Sequence, residues 1–216
     1  MNHLLINLFK RNIIIMKKLF LMLLMAVATT AVAQNQINYE FGNFDFLKDQ
    51  TEISVKLKFD NAAYQEKNLT ESQYIAERKA DITAKKNEAV WKNWIYQWDR
   101  FKSTEYLEYF FKGANSKSKK IFFRNDVKTK YTLIIDARWI YAGWYGGMIG
   151  SQEGKLTADL TFVETDNPSN VVMRLQADKI QGKQMNKDFN WEYGRIAATY
   201  EVLGKKLAKE IKNAVK

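Results

Sequence analysis

Two aspartates are the side chains of this sequence whose type and position best suit a catalytic reaction. Asp136 and Asp159 lie in two segments that we predict to be neighbouring strands, each on the face opposite to the main apolar set of its strand. Two carboxylates that meet across a sheet could serve as the acid and the base of glycoside hydrolysis. Arg138 and Lys155 are close in the sequence, and ion pairing is the commoner use of such acids. A glycan hydrolase is therefore one hypothesis, and a solvated, ion-paired sheet face is the favoured interpretation.

The scarcity of histidine and cysteine limits the other chemistry that the chain can perform. The 216 residues include one histidine, His3, and no cysteine, and we expect His3 to be removed with an N-terminal signal peptide. Without either residue the mature chain cannot build a Ser-His-Asp triad, a Cys-His pair or the usual zinc, haem and copper sites. We therefore expect no metal, no cofactor and no enzymatic activity.

A glycine-rich segment at residues 139–150, with the sequence WIYAGWYGGMIG, is the candidate binding element. Its glycines fit neither the dinucleotide-binding nor the P-loop spacing, and the strand that follows offers no helix N-terminus for a phosphate. A turn at Gly146 and Gly147 would project its neighbours as a lip that binds a sugar, a membrane or a partner. The favoured alternative is that Trp144 folds back on the sheet edge and caps the core, as aromatic residues beside strands usually do. The candidate residues of the loop are Trp144, Tyr145, Gly146, Gly147, Met148 and Ile149.

Alternating apolar residues predict the strands that would position these side chains. The predicted strands are residues 51–60, 120–123, 129–142, 155–165 and 171–182. In the third of them, the alternation places Trp139 on the same face as Leu133 and Ala137. A turn is predicted at residues 166–169, which read DNPS.

Helical spacing predicts the remaining elements. Thr70 and Gln73 have the spacing of a capping box, which predicts a helix that continues to about residue 101. Trp91, Trp94 and Trp98 recur at three- and four-residue steps in it, so we expect them to be buried core rather than a platform for ligands.

Two further helices complete the predicted fold. Ser103 is expected to cap a shorter helix that Gly113 ends, and the apolar spacing from Ile196 to Ile211 predicts a C-terminal helix. We predict an α+β fold in which residues 51–216 form a single domain, a two-layer sandwich with a mainly antiparallel sheet. The first strand, the helices and the short strand could form one parallel crossover. Residues 34–50 are expected to be a loosely ordered lead-in.

The N-terminal segment has the three parts of a cleaved signal peptide. Two lysines precede an apolar run at residues 19–27, and a small-x-small site follows it. The apolar stretch is shorter than the roughly 20 residues that a membrane span needs. We therefore expect residues 1–33 to be removed and Met16 to be the true start. The cleavage site consists of Ala31, Ala33 and Gln34.

Charge and compartment together indicate the kind of partner. The whole chain has a formal charge of +10, and the mature chain +6, because the leader holds four of the 34 basic residues and none of the acids. No cysteine follows the leader to carry a lipid, so we expect a periplasmic or secreted protein. A moderately basic exported protein favours an envelope protein, an outer-membrane component, or an anionic lipid or glycan surface as partner. Export excludes nucleic acid as its physiological partner.

Residues 129–213 resemble known domains of the bacterial envelope. The segments are YTLIIDARWIYAGWYGG, KLTADLTFVETDNPSNVVMRLQADKIQG and RIAATYEVLGKKLAKEI. They resemble uncharacterised exported envelope proteins of Gram-negative bacteria, and the α/β domain found at the N-terminus of the translocation protein TolB and in curli-secretion lipoproteins. The resemblance implies a three-strand meander with a final helix and an envelope location, and it carries no catalytic residues.

The hypotheses for function follow from these observations. The leading one is a non-enzymatic, exported binding or assembly module for another envelope component. One alternative is a carrier that holds a lipid or another apolar ligand between its helices and its sheet. The other is a carboxylate-dependent glycan hydrolase that uses Asp136 and Asp159.

The leader predicts a measurable mass. We expect the protein isolated from its own host to begin at Gln34, because the small side chains of Ala31 and Ala33 suit the leader peptidase. Intact-mass spectrometry checks this directly. A product that still contains His3 would contradict both the cleavage and the predicted compartment.

Overall fold

The computed structural model describes residues 35–183 and 187–215, so His3, Met16 and the predicted cleavage site at Ala31, Ala33 and Gln34 lie outside the described residues. The described part contains both strands and helices and has an α+β fold. Its strands are β1 (Gln36–Phe41), β2 (Glu52–Lys58), β3 (Ala63–Tyr64), β4 (Phe122–Arg124), β5 (Tyr131–Tyr141), β6 (Trp144–Tyr145), β7 (Ser151–Gln152), β8 (Lys155–Glu164) and β9 (Asn167–Gln181). Its α-helices are α1 (Glu71–Lys85), α2 (Glu88–Arg100), α3 (Tyr106–Asn115) and α4 (Glu192–Ala214).

The main sheet is mixed, and its longest strand pairings are antiparallel. Its strands run in the order β1-β9-β8-β5-β2-β4, and β3 pairs with the far end of β5. The meander β5-β8-β9 and the pair β1-β9 are antiparallel, whereas β2 is parallel to both β4 and β5. The expected parallel pairing of the first strand with the short strand is confirmed. The pairing of β2 with β5 could not be read from the sequence, because the paired residues lie 78 positions apart.

The lead-in is part of the fold, contrary to expectation. β1 adds an edge strand to β9, and a 3-10 turn at Phe44–Leu47 follows it. The side chain of Asn43 caps this turn by accepting a hydrogen bond from Asp45 N at 2.8 Å. Phe44 is buried with its ring edge-on to that of Phe162, at a centroid distance of 6.1 Å. The sequence of β1 shows no alternation of apolar and polar residues, because nearly all of its side chains are exposed.

Two helices replace the single helix predicted from Thr70 to residue 101. The capping box is confirmed, since Thr70 and Gln73 exchange both of its hydrogen bonds at the start of α1. The helix then ends, and Asn87 caps the start of α2 with a side chain that accepts a hydrogen bond from Val90 N at 3.0 Å. Asparagine is among the strongest N-cap residues, so the break has a local cause that the sequence does contain.

Ser103 and Gly113 do not bound the third helix. Residues Phe101–Glu105 are π-helical and join α2 to α3 without a cap, and the Ser103 hydroxyl donates to Arg100 O at 3.2 Å. Gly113 lies inside α3, where a Cβ atom would fall 2.0 Å from Glu201 O of α4. Gly204 of α4 is its counterpart, with Phe110 O only 2.4 Å from its Cβ position. The two glycines therefore permit close approach of α3 and α4.

The first half of helix α4 lies in the core of the described residues. Every side chain from Glu192 to Gly204 is buried, although the sequence predicted a helix with one apolar stripe. The helix contacts α3 as well as strands β8 and β9. The expected stripe from Ile196 to Ile211 is buried as predicted, but residues on the other sides of the helix are buried too.

A β-bulge at Arg138 reverses the pattern of β5. The pairing with β8 shifts between Ala137 and Trp139, so Ile140 rather than Trp139 continues the buried face. The predicted placement of Trp139 beside Ala137 is therefore wrong, and its indole donates instead to Gln65 O at 2.9 Å. The predicted turn at residues 166–169 is also displaced, because β9 already begins at Asn167 and pairs it with Glu164.

The contact between α3 and α4 makes Gly113→Ala a sharp test of the fold. We expect the free energy of unfolding to fall by about 2 kcal/mol, because the methyl group overlaps the Glu201 carbonyl and the helices must separate. Urea denaturation measures the change. The exposed α2 variant Asn93→Ala is the control and should change stability by less than about 0.5 kcal/mol. A Gly113→Ala protein at least as stable as the wild type would contradict this packing.

Candidate binding site

The glycine-rich segment forms a short hairpin. Trp144 and Tyr145 of β6 pair with Gln152 and Ser151 of β7, and a 3-10 turn at Gly147–Ile149 closes it. The turn is held by a hydrogen bond from Gly146 N to Gly150 O at 2.9 Å. Gly147 has φ +62, a conformation that residues with a side chain seldom adopt. The predicted turn at Gly146 and Gly147 is thus confirmed in its position.

The side chains of the hairpin tip are exposed. Met148 and Ile149 have relative exposures of 106% and 89%, the values of side chains that contact almost nothing. Trp144 is 44% exposed, and its ring lies over the glycines at 146 and 150 rather than on the core. The favoured interpretation, in which Trp144 caps the core, is therefore wrong. A surface of four large apolar side chains is left, and we call Trp144, Tyr145, Met148 and Ile149 the hairpin tip.

A buried arginine holds the root of the hairpin. Arg195 of α4 is 3% exposed, and its guanidinium donates to Ala142 O at 2.8 Å, to Phe189 O at 2.9 Å and to Gly143 O at 3.4 Å. Gly143 has φ +65, and a Cβ atom there would lie 2.1 Å from Gln152 O. Burial lowers the pKa of Arg195 from its usual value. Because three carbonyls depend on this one side chain, the root is fixed while the tip is free.

A cleft of about 450 Å³ lies beside this root. Its charged lining is a chain of ion pairs: Arg78 contacts Asp81 at 2.8 Å and Glu192 at 2.6 Å. The second oxygen of Glu192 accepts a hydrogen bond from the Trp94 indole at 3.1 Å. Burial, assisted by the charge of Glu192, raises the pKa of Tyr74 well above its usual value. These groups are committed to one another, so the cleft has the chemistry of a rigid support for the hairpin rather than of a reactive centre.

Sequence reasoning missed Glu192 and Arg195. Both precede the apolar stripe that revealed α4, and charged residues near a helix start ordinarily lie in solvent. The signal that could have found them is their setting in residues 189–195, FNWEYGR, where three aromatic residues make an exposed helix end improbable on physical grounds.

Asp136 and Asp159 do meet across the sheet, as predicted. They are directly opposite each other in the pairing of β5 and β8. Arg138, which the bulge places beside them, contacts Asp159 at 2.7 Å and Asp136 at 3.1 Å. One guanidinium thus pairs with both carboxylates, and the three groups line a cleft of about 430 Å³. The bond to Asp159 raises the pKa of Arg138, with Asp136 adding to the effect.

The tryptophan stripe is core, as predicted. Trp94 and Trp98 are 1% exposed and stack at a centroid distance of 5.1 Å, and Trp91 stacks on Trp94 at 5.4 Å. The Trp98 indole donates to Glu71 at 2.9 Å. The three indoles fill their space with one another, so they do not line a chamber for an apolar ligand.

Within residues 35–183 and 187–215, no three histidine, cysteine, aspartate or glutamate side chains are grouped so that they could hold a metal ion. In the same part of the chain, no helix combines the length and the apolar character that a membrane span requires.

Comparison with known proteins gave no match to a family profile or to a curated protein. The relation to the TolB and curli-secretion type of domain thus remains a proposal that rests on pattern alone.

Removal of the arginine should release the hairpin. We expect Arg195→Met to lower the free energy of unfolding by about 3 kcal/mol, because it leaves buried carbonyls without donors. Amide hydrogen exchange of residues 144–152 should also become faster. Arg174→Met, on the exposed face of β9, is the matched control and should cost less than about 0.5 kcal/mol. Equal stability of the two variants would show that Arg195 does not hold the root.

Proposed function

We propose that the protein is a non-enzymatic, exported module that binds another protein of the cell envelope through the hairpin tip. The observation that carries the proposal is the contrast between the fully exposed Met148 and Ile149 and the buried root beneath them. Large apolar side chains that project together from a fixed support are typical of an interaction site. A pre-positioned hairpin also loses less conformational entropy on binding than a flexible loop would.

The composition of the hairpin favours a protein partner over an anionic lipid surface. Residues 142–154, AGWYGGMIGSQEG, contain no lysine or arginine, and Glu153 is their one charged residue. A loop that inserts among anionic headgroups usually carries basic residues beside its apolar tip. Met148 is flexible and polarisable, which suits an apolar pocket on a protein.

The leader motif and the absence of cysteine support an exported, unanchored protein in the periplasm or outside the cell. We further propose that the helices and the sheet form two layers, the arrangement of the TolB and curli-secretion type of domain. The contacts of α3 with β2 and β4, and of α4 with β8 and β9, support this arrangement.

The two alternative functions lack such support. Asp136 and Asp159 are both ion-paired to Arg138, which does not favour the free acid and base that a hydrolase needs. The stacked indoles fill the region that a carrier would keep open.

Photo-crosslinking tests the proposal in cells that produce the protein. A photoreactive residue placed at position 148 should form one defined adduct with an envelope protein, which mass spectrometry identifies. Tyr96, which is 64% exposed on α2, provides a matched apolar control position that should form no such adduct. Adducts that are the same from both positions, or none from position 148, would contradict the proposal.

The double variant Met148→Ser/Ile149→Ser measures the strength of the contact. We expect the Kd for the crosslinked partner to rise at least about tenfold, because two apolar side chains no longer leave water on binding. The free energy of unfolding should not change, since both side chains are exposed in the isolated protein. An unchanged Kd would place the contact elsewhere on the molecule.

A further inference from the structure

The C-terminal half of α4 carries a surface of a different kind. A groove of about 380 Å³ runs along it and against the segment that follows α3. Its lining consists of Lys117, Val202, Lys205, Lys206, Lys209 and Lys212. We call this the lysine groove. Its floor is Val202 and the methylene stems of the lysines, and their ammonium groups form its rim.

No carboxylate among the described residues lines the groove. The nearby Glu201 is 4% exposed, and its two oxygens are taken by Lys205 at 2.6 Å and Lys112 at 2.9 Å. Lys117, Lys209 and Lys212 form no ion pair with any described residue. The positive charge of the groove is therefore available to a partner.

Lys206 reports the resulting electrostatic field. Its ammonium donates to Asn35 O at 2.9 Å, and its pKa is lowered, first by burial and then by the charges of Lys183 and Lys209. Glu210 opposes this effect but does not cancel it. The positive charges on this side of the protein thus repel one another, and a bound anion would relieve the repulsion.

An apolar slot of about 170 Å³ adjoins the groove. Ile121, Ile211 and Val215 form its walls, and Lys119, Lys120 and Lys212 surround its opening. Lys212 lines both the slot and the groove. Phe122 follows directly and is 45% exposed. Cationic and apolar groups thus alternate here over a short distance, as they do on surfaces that contact lipid headgroups.

We propose that the lysine groove binds the phosphate groups of an anionic phospholipid bilayer. Lysine ammonium groups act as mobile point charges, which suits the irregular array of phosphates in a fluid leaflet. Single-stranded nucleic acid is a poorer match, because among the described residues no aromatic or arginine side chain lines the groove as a stacking platform. Along the axis of α4, Lys209 lies about 21 Å from Arg195 at the hairpin root. The lipid contact is therefore separate from the proposed protein contact.

Vesicle sedimentation tests this proposal with the chain from Gln34 onward, whose residues 35–216 form one compact unit with their own core. We expect binding to vesicles that contain phosphatidylglycerol and none to pure phosphatidylcholine vesicles. The double variant Lys209→Gln/Lys212→Gln should lower the partition coefficient about 25-fold, since each lysine near an anionic surface contributes about fivefold. Raising the salt concentration should weaken the binding of the wild type.

Two control variants show whether a loss of vesicle binding is specific to the lysine groove. Lys56→Gln/Lys92→Gln removes the same charge from exposed sites on β2 and α2 and should retain most of the binding. Met148→Ser/Ile149→Ser should bind vesicles like the wild type, so the failure of one proposal leaves the other standing. Equal losses in the two lysine variants would overturn the lysine groove as the site. Binding to single-stranded DNA that is tighter than binding to the anionic vesicles would overturn the lipid as its partner.

Discussion

A helix that is buried on every side must pair each of its charged side chains within the protein, because an unpaired buried charge costs several kcal/mol. The first half of α4 is such a helix, and Glu192, Arg195 and Glu201 are its buried charges. Each is committed to a different neighbour: Glu192 to Arg78 of α1, Arg195 to carbonyls at the hairpin root, and Glu201 to Lys112 of α3. The elements around α4 are thus fixed relative to it by charge pairing as well as by apolar contact. Glycines at 113 and 204 permit the close approach that brings these partners within reach.

This arrangement separates stability from binding. The charged groups that hold the hairpin are inside, whereas Met148 and Ile149 at its tip contribute almost nothing to the packing of the isolated protein. The lysines at 209 and 212 are likewise exposed and unpaired among the described residues. Substitutions at either surface can therefore change the affinity for a partner without lowering the free energy of unfolding. The hairpin that the start of α4 holds and the lysines of its C-terminal half are separate surfaces, so the two proposed contacts could form at the same time.

The parts of the fold that local physics determines could be predicted from the sequence. The alternation in residues 51–60 and 155–165 predicted β2 and β8, and the capping box at Thr70 predicted the start of α1. What could not be predicted depends on contacts distant in the chain. The bulge at Arg138 is stabilised by Asp159 of another strand, and Gly113 is required by a carbonyl of α4. The composition of the segment identified the hairpin residues, but it did not predict that Trp144 is exposed. An aromatic residue beside a strand packs inward unless the backbone conformation directs it outward. At Gly143 the backbone does so.

The position of α4 in the chain has a consequence for biogenesis. The element at the centre of the core follows every other described element, so the sheet and the earlier helices lack their central partner until residues 192–211 have emerged from the ribosome. Such late completion of the core would fit the export that we propose, because a narrow translocation channel accepts an unfolded chain.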